Sequence, residues 1–219
     1  MREILARARG TLLDLPAYQA DFDGRFWRIG GEGFWKLERM QSYQETGFPS
    51  WEALCRGEWE DALALLDTLR PGYEEYRARI TAAGFGHHRV RVVEEPVTPY
   101  VQWELHLLHL KEQYWENVSV VRASQIAHLE SLRTLPELVV LGAEAVYEIH
   151  YTADGAPDGA TRYTEPGLVE QARAFVQELH AAGESLATYF PREIRRLDPP
   201  VVPPRRGSCH RRQVTDQAR

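Results

Sequence analysis

Cysteine, lysine and long apolar runs are what this sequence has little of, and each scarcity excludes something. Only Cys55 and Cys209 occur, far apart and with no C-x-x-C, which argues against a disulfide framework and a cysteine zinc site. No apolar run approaches the roughly 20 residues that a membrane-spanning helix needs. The opening MREILARARG lacks the apolar core of a signal peptide. A cytoplasmic protein with no membrane partner is therefore expected. Lysine appears only at Lys36 and Lys111 among 26 basic residues, a bias toward arginine that carries no mechanism by itself. With 32 acidic residues and a formal charge of -6, the chain lacks the excess of positive charge that a global nucleic-acid-binding face requires.

Catalytic signatures are missing as well. There is no G-x-S-x-G, no phosphate-binding Walker loop, no G-x-G-x-x-G and no H-E-x-x-H. His106 and His109 sit three apart on one helix without a third ligand at suitable spacing, and the Asp154/Asp158 loop lacks the acidic count of a calcium site. No metal and no cofactor is expected. His109-Leu110-Lys111 followed by Glu116 imitates the H-x-K-x4-D motif of phospholipase D-type phosphodiesterases. That chemistry needs both groups presented at a loop, whereas these fall inside a predicted helix and have no second copy.

What is present is a 219-residue chain that is 43% hydrophobic and 11% aromatic, enough for one sizeable core. The expected fold class is α/β (or α+β), a mixed sheet with a central parallel βαβ unit flanked by helices, plus an N-terminal helical lobe. Residues 1–33, interrupted by Gly10, Pro16, Gly24 and Gly30-Gly31, read as an irregular arm. Residues 34–86 read as a helical lobe packed on the core, with Ser50 as an N-cap and Pro71 opening a later helix. Residues 87–197 read as the α/β core. Its strand at 88–93, helix at 98–114 and strand ending near Val121 should form the βαβ unit. Ser124 should cap a helix to Thr134, and strands follow at 138–142, at 145–151 and at an edge over 161–164. Two helices close the core, and the Pro- and Arg-rich segment 198–219 reads as a disordered tail.

The candidate site lies where the strand at 88–93 meets its crossover helix, the place where open α/β sheets bind ligands. Arg89 and Arg91 are two apart on a strand and project from one face. A buried arginine must be paired, and Glu95 or Glu104 are the available partners. Tyr100 and Glu104 are four apart and share a helix face, with Trp103 beside them. Glu38 or Arg39, from the dense FWKLERMQSY stretch, would reach the rim. One reading is an internal salt bridge that locks the strand-to-helix turn. The other is a pocket in which Arg91 holds an anionic group, Trp103 or Tyr100 stacks a ring, and Glu95 or Glu104 accepts a hydrogen bond. The two are compatible.

FWKLER, then SWEAL with a following G-x-W-E, then R-V-R-V-V-E-E-P-x-x-x-Y-x-x-W-E and ELVVLG-x-E-A-V-Y-E together resemble the actinobacterial domain-of-unknown-function 6879 family. The resemblance runs from about Phe34 to Phe190. Its most specific part is Arg91, Glu95, Pro96, Tyr100 and Glu104. It implies a phospholipase D-like fold without the catalytic histidines, and genes that often lie beside XRE-type helix-turn-helix regulators. It implies no activity.

Three functions are compatible with these residues. A non-catalytic sensor or accessory protein would bind a small anionic or nucleotide-like ligand, or a helix-turn-helix regulator, at the carboxyl end of the central strand. An enzyme, a transferase or phosphodiester-type hydrolase, would use Glu95 or Glu104 as general base with Arg91 as anion clamp. Nucleic-acid binding through Arg89, Arg91 and the tail is the least favoured of the three.

Overall fold

Val90, Val92 and their neighbours make a strand, His87–Val93, because every second side chain is apolar and the rest find charged partners. It is β3 in chain order, and Glu116–Arg122 is β4, parallel to it and paired His87 to Glu116 through Val93 to Arg122. The connecting helix α6, Pro99–Glu112, starts where its sequence says it should. Pro99 fits the first turn, and the Thr98 hydroxyl accepts from the Val101 amide at 3.1 Å.

The computed structural model describes residues 1–202. The remaining strands are β1 (Thr11–Leu13), β2 (Phe34–Glu38), β5 (Leu138–Leu141), β6 (Ala145–Tyr151), β7 (Pro157–Tyr163) and β8 (Glu184–Ser185). All eight form one mixed sheet in the order β1-β7-β6-β5-β2-β3-β4-β8. β2, β3 and β4 run parallel and the other pairings are antiparallel. The fold class is α/β. The other helices are α1 (Arg2–Arg7), α2 (Leu15–Phe26), α3 (Pro49–Cys55), α4 (Trp59–Asp67), α5 (Arg70–Ala83), α7 (Pro166–Ala182) and α8 (Leu186–Glu193). Among the described residues, no helix is long and apolar enough to cross a membrane.

The two faces of the sheet differ. Leu37, Val90, Val92, Val121, Leu138, Val140 and Val146 pack on one face against Leu168, Val169, Ala172, Val176 and Leu179 of α7. The other face carries two apolar clusters. One joins α3, α4, α6 and α8 to Val93, Val118 and Val120, and the second joins Phe22 and Phe26 of α2 to Phe34, Val139, Leu141 and Tyr147. Lys36, Glu38, Arg89 and Glu116 occupy the seam between them.

Several expectations change. The segment before Phe34 is ordered structure: β1 forms the sheet's outer edge, and Asp14 caps α2 by accepting from the Ala17 amide at 2.9 Å. Glycine 10 acts there as a contact residue, because a Cβ would collide with the side chains of Thr161 and Tyr163. Phe34–Glu38 belongs to the middle of the sheet, between β5 and β3, and is no part of a helical lobe. Ser50 lies inside α3, whose N-cap is Phe48. After β4 the chain makes only a 3-10 turn, Ala123–Leu129, where a helix to Thr134 was expected. The strand containing 161–163 is covered by β1, so it is not an edge. Of the expected tail, Asp198–Val202 are described and 203–219 lie outside the described residues.

Candidate functional site

Strand register assembles the charged cluster. β2 pairs with β3 so that Lys36 lies beside Arg89 and Glu38 beside Arg91, while His87 lies beside Glu116 on β4. These positions alternate with Leu37, Val90 and Val92, so period two puts every charge on the α6 face. Arg89 donates from Nε to Glu116 Oε1 at 2.6 Å, and its Nη1 lies 2.6 Å from Glu38 Oε2. Lys36 Nζ lies 2.6 Å from Glu38 Oε1. His87 Nδ1 is 3.2 Å from Glu116 Oε1. Arg91 donates from Nε to Glu104 Oε2 at 2.6 Å and from Nη1 to the Val92 carbonyl at 2.9 Å.

Beside this cluster is a cavity of about 120 Å³. Lys36, Glu38 and Arg89 form its floor, and Trp103, Glu104, Leu108 and Lys111 of α6 form one wall. Tyr18 of α2, Val139, Ile149 and Tyr151 form the other. The loop Tyr43–Phe48 closes over it, and Thr46 and Gly47 there are exposed, which marks the mouth. The cavity therefore opens on the face of the sheet, beside the middle of the strands, and not beyond their carboxyl ends. Trp103 is held rigidly: its indole donates to Ser50 Oγ at 2.8 Å, and that hydroxyl donates to the Ala62 carbonyl at 2.6 Å. The Tyr100 hydroxyl donates to Glu45 Oε1 at 3.0 Å and lies 3.4 Å from Glu104 Oε1.

Burial and charge set the protonation of the acids. Burial pushes Glu104 up to about 7; the charge of Glu38 adds to this and Arg91 opposes it. Burial would raise Glu38 too, but Arg89 and Lys36 outweigh it and hold that carboxyl well below the ordinary range. Glu116 is likewise held low against burial by Arg89 and His87. The Lys36 ammonium is lowered by burial, against the charge of Glu38. Two carboxyls on one cavity are thus driven apart, one ionised throughout and one near neutrality.

Of the residues expected at the site, Glu38, Arg89, Tyr100, Trp103 and Glu104 line the cavity. Arg91 does not. It is 0% exposed and sealed behind the wall, with its guanidinium 5.7 Å from the Tyr43 ring. Glu95 stands outside, 63% exposed and 3.1 Å from Arg122 Nε. Arg39 points to the opposite face of the sheet because it follows Glu38 by one residue. There it pairs with Glu130 and Glu94, each at 2.6 Å, beside a separate hollow of about 450 Å³.

Lys36, Tyr43, Glu45, Lys111, Glu116 and Tyr151 were not anticipated. Lys36 and Glu38 could have been found as alternate charges in one strand, and Lys111 as the position two turns beyond Glu104 on α6. The loop and Tyr151 carry no local signal. The arginine bias gains a meaning here: the only two lysines of the chain both line this cavity. His109 stacks on Phe190, with ring centroids 4.2 Å apart, so it and Lys111 do not present one phosphate site. Among the described residues, no group of three or more His, Cys, Asp or Glu side chains is placed to hold a metal ion.

No curated protein and no solved structure matches the chain. A family model, "Domain of unknown function (DUF6879)", matches residues 20–191, a span that takes in the whole charged cluster and all of the cavity lining except Tyr18, and the chain belongs to that family.

Proposed function

We propose that this is a non-catalytic sensor or accessory protein whose cavity binds a small organic monoanion. One observation carries the reading. Lys36, Arg89 and Lys111 line the inner part of the cavity, beneath the rings of Tyr43, Tyr100, Trp103 and Tyr151. Cationic side chains at the base of an aromatic-walled cavity suit a small anion that carries a ring. Lys36 and Arg89 take the clamping role that the sequence suggested for Arg91. A volume of about 120 Å³ is close to the roughly 150 Å³ that admits a benzene ring, and below the roughly 300 Å³ at which cofactor pockets begin. A one-ring acid therefore fits better than a nucleotide-like ligand. On this reading the protein acts in the cytoplasm, and ligand occupancy is read by a partner such as the XRE-type regulator that the family resemblance implies. The phospholipase D-like ancestry belongs to the same proposal. Thermal unfolding of the full chain with benzoate, phosphate or AMP is the test. Benzoate should raise Tm by mass action, and Lys36→Met, which leaves Glu38 paired with Arg89, should abolish the rise. If no anion shifts Tm, the sensor reading fails.

A second reading is favoured by Glu104 itself. A buried carboxyl pushed up to about 7, on a cavity and beside the Tyr100 hydroxyl, is poised as a general base. Glu95 drops out of that role because it lies outside the cavity. Turnover of a small acid that disappears in Glu104→Gln, with binding retained, would select the enzyme.

A further inference from the structure

We infer that the ligand is a zwitterion, with its carboxylate on the cationic floor and an ammonium group at the mouth. The inference rests on the monoanion reading above and adds the opposite end of the molecule. Charge along the cavity is graded. The cations that line it, Lys36, Arg89 and Lys111, all sit at its inner end with little exposure, whereas the acid nearest solvent is Glu45, half-buried in the loop that closes the mouth. Glu45 is fixed in place by the Tyr100 hydroxyl at 3.0 Å, and a carboxylate has lone pairs for further donors.

Between floor and mouth the walls are rings. Tyr43 and Tyr100 meet at 5.5 Å, Tyr43 and Tyr151 at 5.0 Å, and Tyr100 and Trp103 at 5.5 Å. Such walls accept an apolar ring between them, and a ring face that is turned toward the mouth attracts a cation. A plain acid would satisfy the floor and make no use of the carboxylate at the mouth. An amine that lacks the acid would meet Lys36 and Arg89 with nothing to offer them. The chemistry that uses both ends is one ring carrying a carboxylate on one side and an alkylammonium on the other. Glu45 is then the residue that separates this ligand from other small acids.

Isothermal titration of the full chain with benzoate, 4-(aminomethyl)benzoate and benzylamine tests this. We expect 4-(aminomethyl)benzoate to bind about tenfold tighter than benzoate, the size of one charge-assisted hydrogen bond. Benzylamine should bind weakest. Glu45→Gln retains an acceptor for Tyr100 and should remove the tenfold preference. Equal affinity for the two acids, or a preference that survives Glu45→Gln, overturns the zwitterion and leaves the monoanion reading standing. If neither acid binds, or benzylamine binds best, both fall.

Discussion

The same three parallel strands present two surfaces that follow opposite rules. Toward α7 they show Leu37, Val90, Val92 and Val121, all buried and apolar. Toward α6, among the apolar Phe34, Val93, Val118 and Val120, they also show Lys36, Glu38, His87, Arg89, Arg91 and Glu116, all with little exposure and all charged or titratable. Strands covered on both faces usually read as continuous apolar runs, so the charged face departs from what stability alone selects. A buried ion pair gains little over well-packed apolar groups of similar volume, yet breaking one is costly. Apolar packing holds the sheet on both faces, against α7 on one and against α3, α4, α6 and α8 on the other. The α6 face keeps a polar cavity open and leaves Glu104 near the middle of its titration. The contrast also separates two kinds of sensitivity, because apolar packing ignores pH and the charged seam does not.

Two truncations on neighbouring strands probe that contrast most strongly. Arg91→Ala leaves the buried Glu104 carboxylate without its partner 2.6 Å away, and should cost roughly 4 kcal/mol at pH 8. Leu37→Ala, fully buried on the other face, should cost roughly 3 kcal/mol. Their pH behaviour should differ more than their size. At pH 5.5 Glu104 takes up a proton and the penalty of Arg91→Ala shrinks, while that of Leu37→Ala stays the same. Urea unfolding at both pH values measures this. A pH-independent Arg91→Ala penalty would mean that the seam behaves like ordinary core.

The two faces also differ in how much of them could be read in advance. Val90 and Val92 alternating with Arg89 and Arg91, then Thr98-Pro99 opening an amphipathic helix, announce β3 and α6, because those signals are local. Lys36 and Glu38 gave the opposite impression. Charges two apart beside aromatics resemble a solvated surface, and what makes them a central strand is Arg89, more than fifty positions later, whose register beside Lys36 no local pattern encodes. That Arg91 would pair with an acid was legible, since a buried arginine needs one, but the choice between Glu95 and Glu104 was not, and the helix supplies the partner. That this pair would be sealed while Arg89 faces the cavity depends on where α2 and the Tyr43–Phe48 loop end up. The arm before Phe34 was misread for a related reason: its glycines look like breaks, yet glycine 10 serves close packing against β7.

A medium effect should appear in the pH dependence of stability. The folded state holds the Glu104 proton more tightly than the unfolded chain, up to about 7 against an ordinary 4.5. Its contribution is therefore fully present below about 4.5 and is lost as pH rises through about 7, on the order of 3 kcal/mol. Glu38 and Glu116 are shifted the other way, so their contribution is present above the ordinary carboxyl range and lost as pH falls below it. Stability should thus peak in mild acid, with the acid limb belonging to Glu38 and Glu116 and the neutral limb to Glu104. Glu104→Gln should flatten the decline between pH 5 and 7.5 and leave the acid limb intact. Denaturant midpoints across that range decide it. An unchanged decline would assign the neutral limb to another carboxyl that burial raises, such as Glu137.

The smallest effect belongs to a residue that the sequence placed at the centre. Glu95 follows β3 by two positions, and its neighbourhood in the chain is that of Arg91 and Tyr100. In space it is 63% exposed, and its partner Arg122 has a second acid, Glu193, at 3.1 Å. A solvated pair with a spare partner contributes little, because water and salt screen it and two long side chains lose freedom in making it. Glu95→Gln should change unfolding free energy by less than about 0.5 kcal/mol and leave benzoate affinity where it was. Glu38→Gln, on the cavity floor, should alter both. If Glu95→Gln weakens binding as Glu38→Gln does, the ligand must reach past the end of β3, and the division of labour between seam and strand end would have to be redrawn.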